Sequence, residues 1–112
     1  MAILGKRATF EALKSINSAT FTGAYQALGV ATTNPAVLMK IVNNSNTTAT
    51  ISFDGVNDHD ILPASTFVLY DFGSDAQDVS AGGRLSLPVG QVYVKGAAGV
   101  GLVYLVIVYA GG

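Results

Sequence analysis

The sequence contains no cysteine, and it is poor in charge. The absence of cysteine excludes disulfide bonds, thiol catalysis and zinc sites built on cysteine ligands. Charged residues make up 12% of the chain, against about 25% in an average soluble domain, whereas 50% of its residues are hydrophobic. The 112 residues fit one domain with a small core. We therefore expect polar uncharged residues, a covering partner, or both to keep the surface soluble.

The few charges are distributed unevenly, and their pattern argues against several partners. Lys6, Arg7 and Lys14 outweigh Glu11 near the N-terminus, whereas six aspartates outweigh three basic residues in the rest of the chain. A nucleic-acid-binding surface needs clustered lysine and arginine, and neither part has such a cluster. The N-terminus lacks the apolar stretch of a signal peptide, and the C-terminal apolar run is about half the length of a membrane helix. We expect neither a nucleic-acid nor a membrane partner.

From residue 21 onward, short β-rich runs alternate with turn clusters, which predicts an all-β domain. TATISFDG is the clearest run, because Ala49, Ile51 and Phe53 point one way and polar residues point the other. No amphipathic helix separates the runs, which excludes a parallel α/β fold. We predict a small β-sandwich or jelly roll of about eight antiparallel strands. The predicted strands are 21–29, 36–44, 48–55, 61–65, 66–72, 84–88, 89–96 and 102–109, with 36–44 and 48–54 paired as a hairpin.

Residues 1–20 have a different pattern and form a predicted N-terminal arm ahead of a domain at 21–112. Phe10, Leu13 and Ile16 recur at a spacing of three, which indicates an extended segment or one or two short helical turns. A helix this short is unstable alone in water. We expect the arm to be ordered by packing either on its own domain or on a neighbouring subunit.

The acidic stretch DGVNDHD is the best candidate for a chemical site. Asp54, Asp58, His59 and Asp60 lie within seven residues, and carboxylate oxygens at such spacing could hold calcium. The stretch lacks the regular ligand alternation and the closing glutamate of a calcium loop. A turn between strands, with Asp54 and Gly55 making the reversal, explains every residue. No serine in the sequence has the setting of a catalytic nucleophile that could partner His59, so we interpret His59 as a solvated loop residue.

Two other patterns could suggest a ligand. GAAGVG at 96–101 is rich in glycine, but no Lys-Ser or Lys-Thr follows and it precedes a strand, so it predicts a hairpin turn and not a phosphate loop. The five tyrosines and five phenylalanines could form a sugar-stacking surface, or they could belong to the core and to interfaces. We expect no catalytic residue, no metal and no cofactor, and therefore no enzyme.

The final run, LVYLVIVYA at 102–110, is apolar on both faces of the strand that it predicts. One set of alternating residues must enter the core, and the pattern does not decide which. The second face is covered either by the arm or by another subunit. Because the chain has so few charges, we favour a subunit contact, through Leu102, Tyr104, Val106 and Val108 if the alternate set of Val103, Leu105, Ile107 and Tyr109 faces the core.

Residues 41–96 resemble a run seen in small virion proteins of tailed bacteriophages. The resemblance rests on the polar turn after IVNN, on ISFDG, on the LPAS turn and on the closing LPVGQVYVKG. Together with the length and the N-terminal arm, it looks most like the capsid decoration, or staple, proteins of epsilon-fifteen-type short-tailed phages.

The resemblance implies a structural protein on the outer capsid surface. In that family a small jelly roll clamps neighbouring major capsid subunits. It implies the major capsid protein as partner, together with a second copy of the chain in a dimer on the shell. Phe10, Leu13 and Ile16 would then be apolar anchors of the arm, with Lys6 and Arg7 as charge partners. A tail or neck component of the same virion, and a sugar-binding host-recognition module, are the alternatives.

Overall fold

A computed structural model describes residues 7–71 and 90–111 of the chain, and these residues are almost entirely β-structure. A single 3-10 turn lies at Ser18–Thr20 within this part. The strands are β1 Arg7–Phe10, β2 Lys14–Asn17, β3 Gln26–Ala27, β4 Ala36–Ser45, β5 Ala49–Ser52, β6 Asp60–Leu62, β7 Thr66–Asp71, β8 Tyr93–Lys95 and β9 Gly101–Gly111.

The strands form two antiparallel sheets with the topology of a jelly roll. The first sheet has the order β1-β9-β4-β7, and β2 also pairs with β9; the second has the order β3-β8-β5-β6. Since β1 lies along residues 108–111 of β9 and β2 along residues 102–105, the two occupy one position in the sheet. Residues 7–71 and 90–111 therefore fill eight strand positions, four in each sheet. The predicted antiparallel sandwich is confirmed.

The core lies between the two sheets and is built from alternate residues of the central strands. Met39 and Ile41 of β4 are fully buried, and so are Ile51 of β5 and Val94 of β8. Each such side chain stabilises the fold by about 1.5–3 kcal/mol relative to its exposed state. The alternation predicted for β5 is confirmed, since Phe53 also packs against this core.

Strand β9 resolves which set of its residues faces inward. Val103, Leu105 and Ile107 are at most 1% exposed and belong to the core, whereas Tyr109 is partly exposed. Residues Leu102, Tyr104 and Val106 lie on the opposite face of the first sheet.

The predicted hairpin of β4 with β5 is wrong. Strand β4 pairs with β7 and β9 in the first sheet, whereas β5 pairs with β6 and β8 in the second. The chain crosses between the sheets at residues 46–48, where the buried Asn43 amide donates to the carbonyls of Thr47, Leu62 and Pro63. These bonds tie the crossing to the end of β6, so the polar turn leads into the second sheet and does not reverse the chain within the first.

The glycine-rich stretch before β9 also crosses between sheets, so its prediction as a hairpin turn is wrong. It connects β8 of the second sheet to β9 of the first. A Cβ on Gly99 would lie 2.5 Å from the Asn46 side-chain oxygen, and one on Gly101 would lie 2.2 Å from the Asn44 carbonyl oxygen. The glycines thus allow the two crossings to pack against each other. The predicted strand at 84–88 lies outside the described residues.

The helical alternative for residues 9–17 is also wrong. These residues form β1 and β2, with a break at residues 11–13, and both strands pair with β9. The spacing of three arose because the break shifts the alternation. Phe10 is 66% exposed, Leu13 lies in the break, and Ile16 packs against the core. Strand pairing with an 11-residue partner outweighs the weak local preference of a short helix.

Candidate interaction surface

The outer faces of the two sheets differ in polarity. On the second sheet, Thr50 is opposite both Lys95 and Ile61, and Ser52 is opposite Tyr93. This mixed, mainly polar face is typical of a sheet that contacts water, although Ser52 itself is buried, where its hydroxyl donates to Asp54 and accepts from the Gly55 N–H. The outer face of the first sheet is mainly apolar, although the other side of that sheet already supplies half of the core.

We define the outer apolar face by the strand register, because directly opposed residues point to the same side of a sheet. Phe67 is opposite Val42, which is opposite Tyr104, and Asp71, Leu38, Val108 and Phe10 form another such row. The face comprises Phe10, Leu38, Val42, Phe67, Leu69, Leu102, Tyr104, Val106 and Val108, together with Lys40.

Several members of the outer apolar face are strongly exposed. Phe10 is 66% exposed, Phe67 64% and Leu69 50%, whereas Val108 is only 8% exposed because its neighbours surround it. Scattered exposed apolar residues are ordinary, but a contiguous apolar face on one sheet is typical of an interaction site. The face therefore has the character of a surface that another molecule covers.

Lys40 lies in the middle of this face. It is opposite Leu69 on one side and Val106 on the other, and its neighbours along β4 on the same face are Leu38 and Val42. None of the ion pairs between residues of 7–71 and 90–111 includes Lys40. Lys40 is half-buried, as expected of a lysine whose aliphatic stem lies on apolar neighbours while its ammonium group stays in water. An isolated charge in this position restricts which molecules can cover the face, because a molecule that covers it must also interact favourably with the ammonium group.

One end of the outer apolar face is polar. Asn44 is opposite Leu102, which is opposite Asn17, and the next residue of β2 on this face is Ser15. All three polar side chains are exposed. An apolar centre with a polar margin is the usual composition of a protein–protein contact surface.

The acidic stretch forms a turn in which Asp54 bonds mainly to the backbone, and its Oδ2 lies 3.9 Å from His59 Nε2. Asp54 Oδ1 accepts from the backbone N–H groups of Val56 and Asn57, both at 2.8 Å, and these bonds hold the pKa of Asp54 below its usual value. Gly55 follows with a φ of +76°, which favours glycine. Hydrogen bonding thus accounts for Asp54 as a turn residue.

The other three side chains of this stretch, those of Asp58, His59 and Asp60, contact different partners. Asp58 accepts from Tyr25 and pairs with Lys95 at 3.0 Å, and its pKa is lowered by these two contacts. His59 stacks on Phe53 and accepts from its backbone N–H. Asp60 accepts from the Tyr70 hydroxyl, whose pKa is raised by burial and by this bond. A pocket of about 380 Å³ lies beside His59.

Within residues 7–71 and 90–111, no three histidine, aspartate or glutamate side chains converge as metal ligands. Lys95 lies 4.6 Å from the centre of the Tyr25 ring, and Tyr70 packs edge-on against Phe53. These two tyrosine rings are therefore engaged by the protein itself. None of the helical structure described in the chain is long and apolar enough to cross a membrane.

The structure separates the residues predicted to contact a partner. It brings Phe10, Tyr104, Val106 and Val108 together on the outer apolar face. Leu13 is 63% exposed in the break between β1 and β2, whereas Ile16 faces the core of its own domain, where it is unavailable as an anchor. Arg7 lies in β1 opposite Gly111, and Lys6 lies outside the described residues.

The part of the face that β4 and β7 contribute was not predicted from the sequence. Leu38 and Val42 alternate with the core residues of β4, and Phe67 and Leu69 alternate with Val68 and Tyr70, which pack against the core. The sequence pattern could have indicated this contribution, because β4 and β7, like β9, have apolar residues at both odd and even positions. Neighbouring strands with this pattern predict an apolar outer face only when their pairing is known.

Known proteins give no further guide to this surface. No protein-family model, curated protein or solved structure matches this chain significantly.

Proposed function

We propose that the chain is a structural virion protein, a capsid decoration protein that binds the outer surface of a phage head and clamps neighbouring major capsid subunits. The observation that carries the proposal is the outer apolar face. A jelly roll with one polar and one apolar outer face suits a protein that lies on another surface. The resemblance of residues 41–96 to small phage virion proteins points to a capsid as that surface.

The mechanism that this proposal implies is mechanical. Each copy would add contact area to subunits on both sides of a seam, and many copies on one shell would add their contributions. A rigid β-sandwich suits this role, because its contact residues are held on paired strands and lose little conformational freedom on binding. The second copy predicted for a dimer would join through another surface of the sandwich.

The copy number of the chain in purified virions tests the proposal. Quantitative mass spectrometry against the major capsid protein should give a copy number of the same order as the number of capsid subunits. A number matching a small ring would contradict decoration and favour a tail or neck component. A small copy number together with binding of the purified protein to a glycan array would favour a host-recognition module.

A further inference from the structure

We propose that the outer apolar face takes a heterologous partner, an apolar patch of the major capsid protein that carries a carboxylate opposite Lys40, and that it does not take a second copy of this chain. The inference rests on the proposed capsid function and deepens it, because it assigns the binding face and the chemistry of the surface that the face covers.

The position of Lys40 determines what the partner must offer. Covering the face would remove water from the ammonium group of a lysine whose neighbours on the face are Leu38, Val42, Leu69 and Val106. A charge that loses its hydration destabilises a contact unless an opposite charge or hydrogen-bond acceptors replace the water. A carboxylate on the partner supplies both in one group, and a charge-assisted hydrogen bond of this kind also fixes the register of the two surfaces.

The same residue disfavours self-association through this face. In a two-fold dimer the same patch contacts itself, so the centre of one patch meets the centre of the other. Lys40 lies at that centre, on β4 between β7 and β9. Two ammonium groups would approach each other in an apolar surround. The register also places the carboxylate of Asp71 on this side of the sheet. Asp71 lies at the corner of the face and already interacts with other groups.

Two matched substitutions locate the binding face. Leu69→Ser changes an aliphatic strand residue, 50% exposed, on the outer apolar face, and Ile61→Ser changes one, 62% exposed, on the second sheet. We expect Leu69→Ser to weaken binding to capsid shells stripped of this protein by about tenfold or more, and Ile61→Ser to leave binding unchanged. Thermal melting checks folding, and Phe67→Ser replaces Leu69→Ser if the latter unfolds.

A second pair of variants identifies the charge. Lys40→Met keeps the apolar stem and removes the ammonium, so it should weaken binding by about tenfold, whereas Lys40→Arg should keep most of it. Carbodiimide treatment of decorated shells should join Lys40 to an aspartate or glutamate of the major capsid protein, which peptide mass spectrometry would identify. If Lys40 only reached water past the partner, Lys40→Met would bind as tightly as the wild type.

The outcomes distinguish the two proposals. If the wild-type protein does not bind stripped shells, the capsid function itself is overturned. If it binds and Leu69→Ser binds equally well, the function stands and the assignment of the face is overturned. A wild-type dimer in sedimentation velocity that Leu69→Ser dissociates, or a Lys40 cross-link to a second copy, would show self-association through this face and would also overturn the inference.

Discussion

Glu11 joins two separate segments of this fold through its carboxylate. Its side chain and that of Lys14 are 7% and 6% exposed, and the Lys14 Nζ lies 2.9 Å from Glu11 Oε1. The other carboxylate oxygen accepts from the backbone N–H groups of Thr33 and Asn34 at 3.0 and 2.9 Å. One carboxylate thus joins the break between β1 and β2 to the loop before β4. The sequence showed this glutamate only as one charge in a basic segment.

Glu11→Gln should therefore destabilise the domain although it changes a single atom. The substitution leaves the buried Lys14 ammonium without its counter-charge, and its single amide oxygen cannot accept both from Lys14 and from the Thr33 and Asn34 amides. We expect a loss of about 2 kcal/mol in the free energy of unfolding, between the values for exposed and fully buried pairs. Urea denaturation measures it. Asp58→Asn breaks the exposed pair with Lys95 and should lower the free energy of unfolding much less than Glu11→Gln; equal losses in the two variants would contradict this assignment.

The same carboxylate makes stability depend on acid. Burial alone raises the pKa of Glu11, but hydrogen bonds from Lys14, Thr33 and Asn34 outweigh it and hold the pKa at about 2, below its ordinary value of 4.5. Because the unfolded chain takes up the proton first, this contribution is complete above pH 4.5 and is lost as the pH falls toward 2.

Unfolding free energies of the wild type and Glu11→Gln, measured across that range, should therefore converge as the pH falls. The comparison is needed because the pKa values of Asp54 and Asp58 are also lowered and add to the acid loss in both proteins. A difference between the two proteins that does not change with pH would show that Glu11 has an ordinary pKa.

At the scale of elements, the strands could be predicted from the sequence, but their connections could not. The alternation around Ile51 and the apolar run at 102–109 identify strands because they depend on local period alone. Whether a polar turn reverses the chain or carries it to the other sheet depends on distant groups, here the Leu62 and Pro63 carbonyls that bind Asn43. The outer apolar face was only partly predictable for the same reason, since it forms when β7, β4 and β9 come to lie side by side.

The crossing into β9 depends on Gly101. Its φ is +111°, and a Cβ there would meet the Asn44 carbonyl oxygen at 2.2 Å and the Ser45 Cα at 2.8 Å. Gly101→Ala should lower the free energy of unfolding by about 3 kcal/mol, because both the backbone conformation and the close approach to β4 oppose a side chain.

Gly90→Ala is the matched control for this substitution, since nothing lies within 4 Å of its Cβ position. It should stay within about 1 kcal/mol of the wild type in the same denaturation experiment. If Gly101→Ala unfolds at the same urea concentration as this control, the crossing relaxes around a side chain and the packing of the two connections is not a constraint.

At the scale of the whole molecule, the two ends of the chain complete one sheet together. Strands β1 and β2 cover one side of β9, and β4 covers the other. Residues 7–17 are thus part of the sandwich, and removing them would leave β9 with an unpaired edge. A shell-binding test by deletion of the predicted arm would therefore confuse loss of a contact with loss of the fold.

Point substitutions in the first two strands separate these effects. Ile16→Ala should lower the free energy of unfolding by about 1–2 kcal/mol, because Ile16 packs against the core beside β9, and it should leave shell binding of the folded protein unchanged. Phe10→Ser should leave stability within about 0.5 kcal/mol, because Phe10 is 66% exposed, and it should weaken shell binding through the outer apolar face. Thermal melting and cosedimentation with stripped shells measure the two quantities on the same samples. The opposite pattern, with Phe10 needed for stability and Ile16 for binding, would mean that the first strands contact the capsid through their inner side.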